Sequence, residues 1–399
     1  MTQVKIPLNA RTYDQEEIDA ACEVLRSGFV TMGRLCREFE EQFAQALGAR
    51  NALFVNSGSS ANLLAFFALA NHALPDRHKR MSPGMEVIVP AVTWSTTIWP
   101  IVQAGGVPVV VDSDPRTLQM DPQSLRAAIS EKTVAICPVH VLGNAVPMAP
   151  VLEIAREHDL WVVEDTCEAL GTRHDGKLVG TFGDLATFSF FYSHHITTIE
   201  GGMIITDDDE MAELLRTLRA HGWTRQLQDR AAVESQYPEI DPQYLFINTG
   251  FNLRPTEVNA AFGIHQLPKL GRFNARRAAI AEAWIDEFRA LSDDGRLRPM
   301  QTTEGTESTW FGFPVMCADK KTRDALKGHL ESNGIETRPI ICGNMVRQPA
   351  FRNVTHRVVG TLRGADEVMD RGIYWGAHPS MTEEDIQYVA RAVKGFFSQ

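Results

Sequence analysis

The segment TFSFFYSHHITTIEGGMIITDDDE, Thr187 to Glu210, carries two adjacent imidazoles, His194 and His195, between what read as two strands. No lysine occurs anywhere from residue 178 to 268. What an imidazole does well is move protons: with a reference pKa near 6.5, roughly three quarters of such rings are neutral at pH 7 and ready to act as bases. Other segments bring complementary groups. VVEDTCEALG (162–171) ends an apolar run on Glu164 and Asp165, and an aspartate there either caps a helix or holds a protonated pyridinium nitrogen. VNSGSSANLL (55–64) reads as strand, glycine turn and helix start. Its amides at Gly58, Ser59 and Ser60 would face an anion, although a serine-rich N-cap alone accounts for the same residues. PAVTWSTTIWP (90–100) sets Trp94 in a polar turn, where an indole can stack on a flat ring. TGFNLRPTE (249–257) offers Asn252 and Arg254 beside a proline-defined helix start, and a guanidinium there can clamp a carboxylate.

Strand ends must hold these groups. NALFV (51–55), EVIVP (86–90), VPVVVD (107–112), TVAICPV (133–139) and LWVVED (160–165) are short apolar runs, most of them separated by helical patterns. Near-continuous Val/Ile runs alternating with helices predict a parallel sheet covered on both faces. Ligands in such sheets collect at the carboxyl ends of the strands, where Asp165 falls. DQEEIDAACEVLRSG predicts a helix ending at Gly28, with Ile18, Cys22 and Leu25 on one face. From about Glu257 the texture turns helical, and TWFGFPVM, KTRDALKGHLESNG and TEEDIQYVARAVKGFF then mix strands and helices. A large domain over residues 1–265 and a smaller C-terminal α+β domain over 266–399 are expected.

Composition excludes several function classes. At 399 residues, with 44% apolar and 22% charged residues, the chain is an ordinary globular one, long enough for two cores. A formal charge of −11 repels nucleic acid and anionic membranes, so a phosphate must be held by local arginines and backbone amides. No apolar run approaches the roughly 18 residues that cross a bilayer, and MTQVKIPLNARTYDQEE lacks the apolar core of a signal peptide. Six scattered cysteines without a CxxC pair predict reduced thiols in a cytoplasmic protein and no metal site.

Taken together, GFVTMGRLCREFEEQFAQALGARNALFVNSGSSANLL, PAVTWSTT, VHVLGNAV, VVEDTCEALGT, GKLVGTFGDLATFSFF, EGGMIITDDDE and GFNLRPTE resemble the DegT/StrS-type nucleotide-sugar aminotransferases. These are fold-type I pyridoxal-phosphate enzymes with a mostly parallel sheet. The resemblance implies that Gly58, Ser59 and Ser189 hold the cofactor phosphate, Trp94 stacks on its ring and Asp165 pairs the pyridinium nitrogen. Glu168 stands where a Gln or His sits near the ring hydroxyl. Asn252 would reach the phosphate of a neighbouring subunit, implying a homodimer with shared sites.

One position departs from that pattern. The family places a lysine after Ser-Phe-Phe and two intervening residues, six before Glu-Gly-Gly; here Ser189-Phe190-Phe191 and Glu200-Gly201-Gly202 bracket His194 instead. A lysine amine tethers the cofactor as an imine; an imidazole cannot, but it can still carry protons. The resemblance narrows to the His-for-Lys subset, the sugar 3-dehydratases, with non-covalently bound pyridoxal or pyridoxamine 5'-phosphate. The expected reaction is 3-dehydration of a nucleotide-linked 4-keto-6-deoxy sugar, with GDP-4-keto-6-deoxy-D-mannose the expected substrate and L-glutamate the amino donor. His194 would be the catalytic base and then the donor to the leaving hydroxyl. By the same resemblance Phe29 and Thr31 touch the sugar nucleotide, His221 and Arg225 line the substrate or glutamate site, Arg254 clamps the glutamate carboxylate and Arg338 contacts substrate. His195 is expected as hydrogen-bonding scaffold. A sister group adds an iron–sulfur cluster and a reductase. Cys167 matches its first ligand but the next cysteine is Cys317, so no cluster and no reductase partner are expected. The competing readings are an aminotransferase using a distant lysine and a non-catalytic sugar or cofactor sensor.

Overall fold

The apolar runs become strands wherever both of their faces can be covered. In a computed structural model describing residues 4–398, β1 (Asn51–Val55), β2 (Glu86–Pro90), β3 (Val107–Val111), β4 (Thr133–Ile136) and β5 (Trp161–Asp165) share one eight-stranded sheet. Its order is β1, Gly202–Thr206, Leu185–Ser189, β5, β4, β2, β3 and Arg357–Val358. From Leu185–Ser189 across to Arg357–Val358 every pairing is parallel, whereas Gly202–Thr206 runs against both of its neighbours.

Side-chain alternation places successive residues in different cores. In β2, Val87 and Val89 join the core beneath helix α3 (Gly58–Ala70), while Ile88 joins Met148, Val151 and Ile154 of helix Met148–His158 on the opposite face. In β1, Phe54 points into a cluster of aromatic rings with Phe39 and Phe43 of helix α2 (Arg34–Leu47) and with Phe190. A mostly parallel α/β sheet with helices on both faces is thus the observed fold.

The expected face of helix α1 (Gln15–Ser27) is corrected. Glu17 and Val24 are its buried residues and Leu25 is 61% exposed, while Ile18 and Cys22 are half-buried. Glu17 turns inward because it meets Lys269 Nζ at 2.7 Å, Gln266 Nε2 at 2.6 Å and, in a capping box, the Asp14 amide at 2.9 Å. The helix does end at Gly28, which takes the left-handed conformation at φ 75°.

Helices Glu257–Gln266 and Leu270–Glu287 lead from the large sheet to a four-stranded antiparallel sheet of Leu297–Pro299, Phe313–Cys317, Gly372–Trp375 and Thr337–Arg338. Helices Lys320–Ser332 and Glu383–Phe397 accompany it. Residue 265, where the sequence predicts a division, lies in the last turn of Glu257–Gln266, and Arg357–Val358 returns to edge the large sheet. TVAICPV stops as a strand at Ile136, and the Phe313–Cys317 strand begins after Trp310, whose φ of 47° breaks the extended run.

Candidate active site

Period-two alternation at the end of β5 sends its two acids in opposite directions. Glu164 is fully buried and accepts from the amides of Gly180 (2.8 Å), Phe182 (2.7 Å) and Gly183 (2.7 Å). His140 completes the set: its Nδ1 accepts from the Val146 amide, so its Nε2 carries the hydrogen and donates to Glu164 at 3.1 Å. Glu164 is therefore a clamp on the 180–183 loop. Asp165 points the other way, and its Oδ2 accepts from Asn62 Nδ2 at 2.9 Å and Thr97 Oγ1 at 2.7 Å, its Oδ1 from the Cys167 amide at 3.2 Å. All three donors are neutral, and among the described residues no cationic side chain forms an ion pair with this buried carboxylate. Such a group has unspent negative charge for a ring N–H⁺.

The glycine turn packs directly against the strand Leu185–Ser189. A Cβ on Gly58 would stand 2.5 Å from Ser189 Cβ and 3.0 Å from Ser189 Oγ, so glycine is required for the two segments to meet. The Ser60 amide, expected to be free, is taken by the Ser57 Oγ N-cap at 3.1 Å; the anion-facing set narrows to Gly58 and Ser59. Ser59 Oγ bonds Thr96 Oγ1 at 3.2 Å, which ties this turn to the start of helix α4 (Ser95–Gln103). Trp94 sits at the N-cap of α4 and is 55% exposed, a tryptophan outside the core with its ring free to stack.

His194 lies in a turn closed by its own amide on the Phe191 carbonyl at 2.9 Å. Its ring centroid is 5.0 Å from that of Phe311 and 6.3 Å from that of Phe191. Nδ1 is buried with no hydrogen-bond partner, leaving Nε2 as the nitrogen able to reach a ligand. Burial, with the Arg277 guanidinium adding, lowers its pKa to about 3. The expectation of a ring one quarter protonated at pH 7 is corrected: this imidazole is neutral throughout the physiological range.

His195, expected as hydrogen-bonding scaffold, is held mainly by packing, with the Thr309 backbone the one polar group that favours its protonated form. It is fully buried, neither ring nitrogen has a partner, and its ring packs 5.7 Å from Phe311. Burial and the neighbouring Arg277 and His194 push its pKa well down. Glu168 accepts from the Leu142 amide at 2.9 Å. Burial pushes its carboxyl up to about 7, with the Leu142 bond opposing and the charge of Asp165 adding.

The profile of the DegT/DnrJ/EryC1/StrS aminotransferase family matches residues 11–394. The chain belongs to that family. It is 38% identical to the GDP-4-keto-6-deoxy-D-mannose 3-dehydratase of Escherichia coli O55:H7, across 98% of this chain and 100% of that one. It is also 38% identical to the dTDP-4-dehydro-2,6-dideoxy-D-glucose 3-dehydratase of Saccharopolyspora spinosa, over 97% of this chain and 85% of its relative. A solved GDP-4-keto-6-deoxymannose-3-dehydratase with a trapped PLP-glutamate geminal diamine matches with a TM-score of 0.89 and 37% identity, covering 98% of this chain and 100% of that one.

In this family member the substrate-facing candidates fall into separate groups. Arg254 Nε donates to Asn252 Oδ1 at 2.9 Å, and its Nη2 lies 3.4 Å from His221 Nε2. The Asn56 amide bonds the Leu253 carbonyl at 3.0 Å, which lays this trio beside the end of β1 and the glycine turn. Arg225 stands apart, its guanidinium 3.9 Å above the Trp223 ring. Arg338 pairs with Glu336 at 2.6 Å and lies opposite Tyr374 across two strands. Burial pushes the Tyr374 hydroxyl up, with the charge of Glu168 adding and that of Arg338 opposing. Phe29 and Thr31 are exposed, and Thr31 bridges to Thr256. Phe29 lines a cleft of about 800 Å³ with Glu257, into which neither His194 nor Asp165 opens.

Sequence reasoning missed Asn62, Thr97, Arg277 and Phe311. Asn62 carried a signal, being the one amide in the otherwise apolar run ANLLAFFALA. Thr97 follows Trp94 by one turn of α4 and so shares its end of the helix.

Proposed function

We propose that this chain is a coenzyme-B6-dependent 3-dehydratase acting on GDP-4-keto-6-deoxy-D-mannose. It converts that sugar and glutamate into the 4-keto-3,6-dideoxy sugar, 2-oxoglutarate and ammonia. The observation that carries the reading is His194 at the turn after Ser189, with neither lysine that flanks the lysine-free stretch 178–268 free to take its place. Of the two lysines flanking the lysine-free stretch, Lys269 is spent on Asp14 and Glu17, and Lys177 lies over the Phe182 ring at 4.7 Å on a short hairpin.

The residues present fit the cofactor. The Gly58–Ser189 contact leaves a cradle that any Cβ would fill, and Gly58, Ser59 and Ser189 would hold the phosphate there. Asp165 would receive the ring N–H⁺, Trp94 would cover the ring face, and Glu168 would meet the ring hydroxyl. Bound pyridoxamine phosphate supplies an amine that condenses with the 4-keto group and a ring that takes up electrons.

His194 does the proton chemistry. Its neutral Nε2 would take a proton from the carbon bearing the cofactor's amine and would later pass it to the departing C3 hydroxyl. The same low pKa that makes it a modest base makes its protonated form a strong acid, suited to passing that proton to the departing hydroxyl. Arg254 and His221 would bind the glutamate carboxylate, Arg225 and Arg338 the substrate, and Phe29 and Thr31 the sugar nucleotide. Asn252 is exposed and free to reach the phosphate in a second copy of the chain, so a homodimer with shared sites is part of the proposal. A cytoplasmic location is part of the proposal, in keeping with six free cysteines.

Incubation with pyridoxal phosphate, glutamate and parallel GDP- and dTDP-linked 4-keto sugars tests the reading by mass spectrometry and ammonia assay. Loss of the C3 oxygen from the GDP sugar, with 2-oxoglutarate and ammonia formed in step, is the expected result. An aminated product, or a cofactor adduct on the chain after borohydride reduction, overturns it.

A further inference from the structure

Arg277, on helix Leu270–Glu287, is a fully buried guanidinium without a carboxylate. Among the described residues it forms no ion pair; its Nη1 donates to three carbonyls, those of Phe311 (3.0 Å), Ala377 (3.3 Å) and Trp310 (3.4 Å), while Nε has no partner. A buried charge costs several kcal/mol unless something offsets it, so its persistence here calls for a reason.

The carbonyls it gathers belong to the segment that supports His194. Phe311 is buried and pinned at both ends, its amide on the Leu142 carbonyl at 3.2 Å and its carbonyl on Arg277. The approach of the two loops is close enough that a Cβ on Gly143 would stand 2.5 Å from the Trp310 nitrogen. The Phe311 ring then meets both His194 and His195. A catalytic imidazole is usually oriented by a hydrogen bond on its second nitrogen. His194 has none on Nδ1, so its ring orientation depends on packing against Phe311 and Phe191.

We propose, resting on the catalytic assignment of His194 made above, that Arg277 is a positioning residue: through the Phe311 carbonyl it fixes the Phe311 ring against which the His194 imidazole is set. Its charge also bears on every imidazole around it, His194 and His195 on the turn after Ser189 and His378 near the end of Gly372–Trp375, each held below its ordinary value by burial first and Arg277 second. At His378 the Asp385 carboxylate opposes that lowering.

The test separates position from charge. In cofactor-free protein carrying ¹⁵N-labelled histidine, the His194 ring should stay neutral across the accessible pH range. In Arg277→Met it should titrate at higher pH, because a nearby positive charge has gone; Arg277→Lys should keep the ring neutral. In the glutamate half-reaction, read as 2-oxoglutarate release in one turnover, Arg277→Met, Arg277→Lys and Phe311→Leu should each lose roughly 10- to 100-fold in rate. The KM for glutamate should change by less than about threefold. A purely structural role would lower all variants through cofactor loss and leave the His194 titration unmoved. That result, or full rate in folded Arg277→Met, overturns the proposal. The half-reaction needs no sugar, so it stands or falls independently of substrate identity.

Discussion

Asn62, four residues into helix α3, donates to Asp165 at the end of β5 across 103 residues of chain, at 2.9 Å. With Thr97 it gives one carboxylate oxygen two neutral donors and leaves the negative charge uncancelled. Asp165→Asn keeps the shape and removes that charge. The expected outcome is a folded protein that binds pyridoxal phosphate more weakly and turns over about 100-fold more slowly. Cofactor fluorescence titration and the ammonia assay measure the two effects; turnover within threefold of the parent would remove Asp165 from the site.

His194→Asn removes the proton carrier while retaining a small polar side chain. Losses of about 10²- to 10⁴-fold in dehydration are expected, with cofactor affinity within a few-fold, since the phosphate, ring and pyridinium contacts assigned above lie elsewhere. Absorbance of the bound cofactor and ammonia release decide it. Undiminished ammonia production would assign the proton transfer to another group.

The sheet was legible because its strands are apolar on both faces, and such runs announce themselves at 51–55, 86–90 and 161–165. His194 was legible through its register with Ser189 and Glu200, not through any local pattern. What escaped were polar groups whose partners lie far along the chain. Glu17 is hidden by residues 266 and 269, and Asp165 is served by residues 62 and 97. Hydrophobic periodicity reports which face is oily; it says nothing of a carboxylate that burial makes affordable by distant donors. The two histidines illustrate the same limit, since their neutrality comes first from burial, with Phe311 packed against both rings, and then from Arg277, more than eighty residues away.

Glu168 makes stability depend on pH in the direction opposite to most carboxylates. Its folded value is raised from 4.5 to about 7, chiefly by burial. Between those values the folded state holds a proton that the unfolded state has released, so stability falls as pH rises through that window. In cofactor-free protein Glu168→Gln should therefore gain in Tm relative to the parent at pH 8 and lose that gain at pH 4.5. Melting curves at both pH values measure it; an identical difference at each would mean that the carboxyl titrates normally.

Gly58→Ala tests the cradle directly. The added methyl would stand 2.5 Å from Ser189 Cβ and 3.1 Å from Ser189 Cα, and Ser189 cannot retreat because it is paired with Gly202 in the sheet. The turn must therefore move away from the strand, at about 1–3 kcal/mol. That shift opens the space shared by Gly58, Ser59 and Ser189. Cofactor affinity should drop by at least about tenfold, the equivalent of roughly 1.4 kcal/mol. Gly271→Ala is the matched control: its Cβ meets nothing within 4 Å on helix Leu270–Glu287, so it should leave affinity unchanged and raise Tm slightly through helix propensity. Equal affinities in the two variants would show that the phosphate does not sit against Gly58.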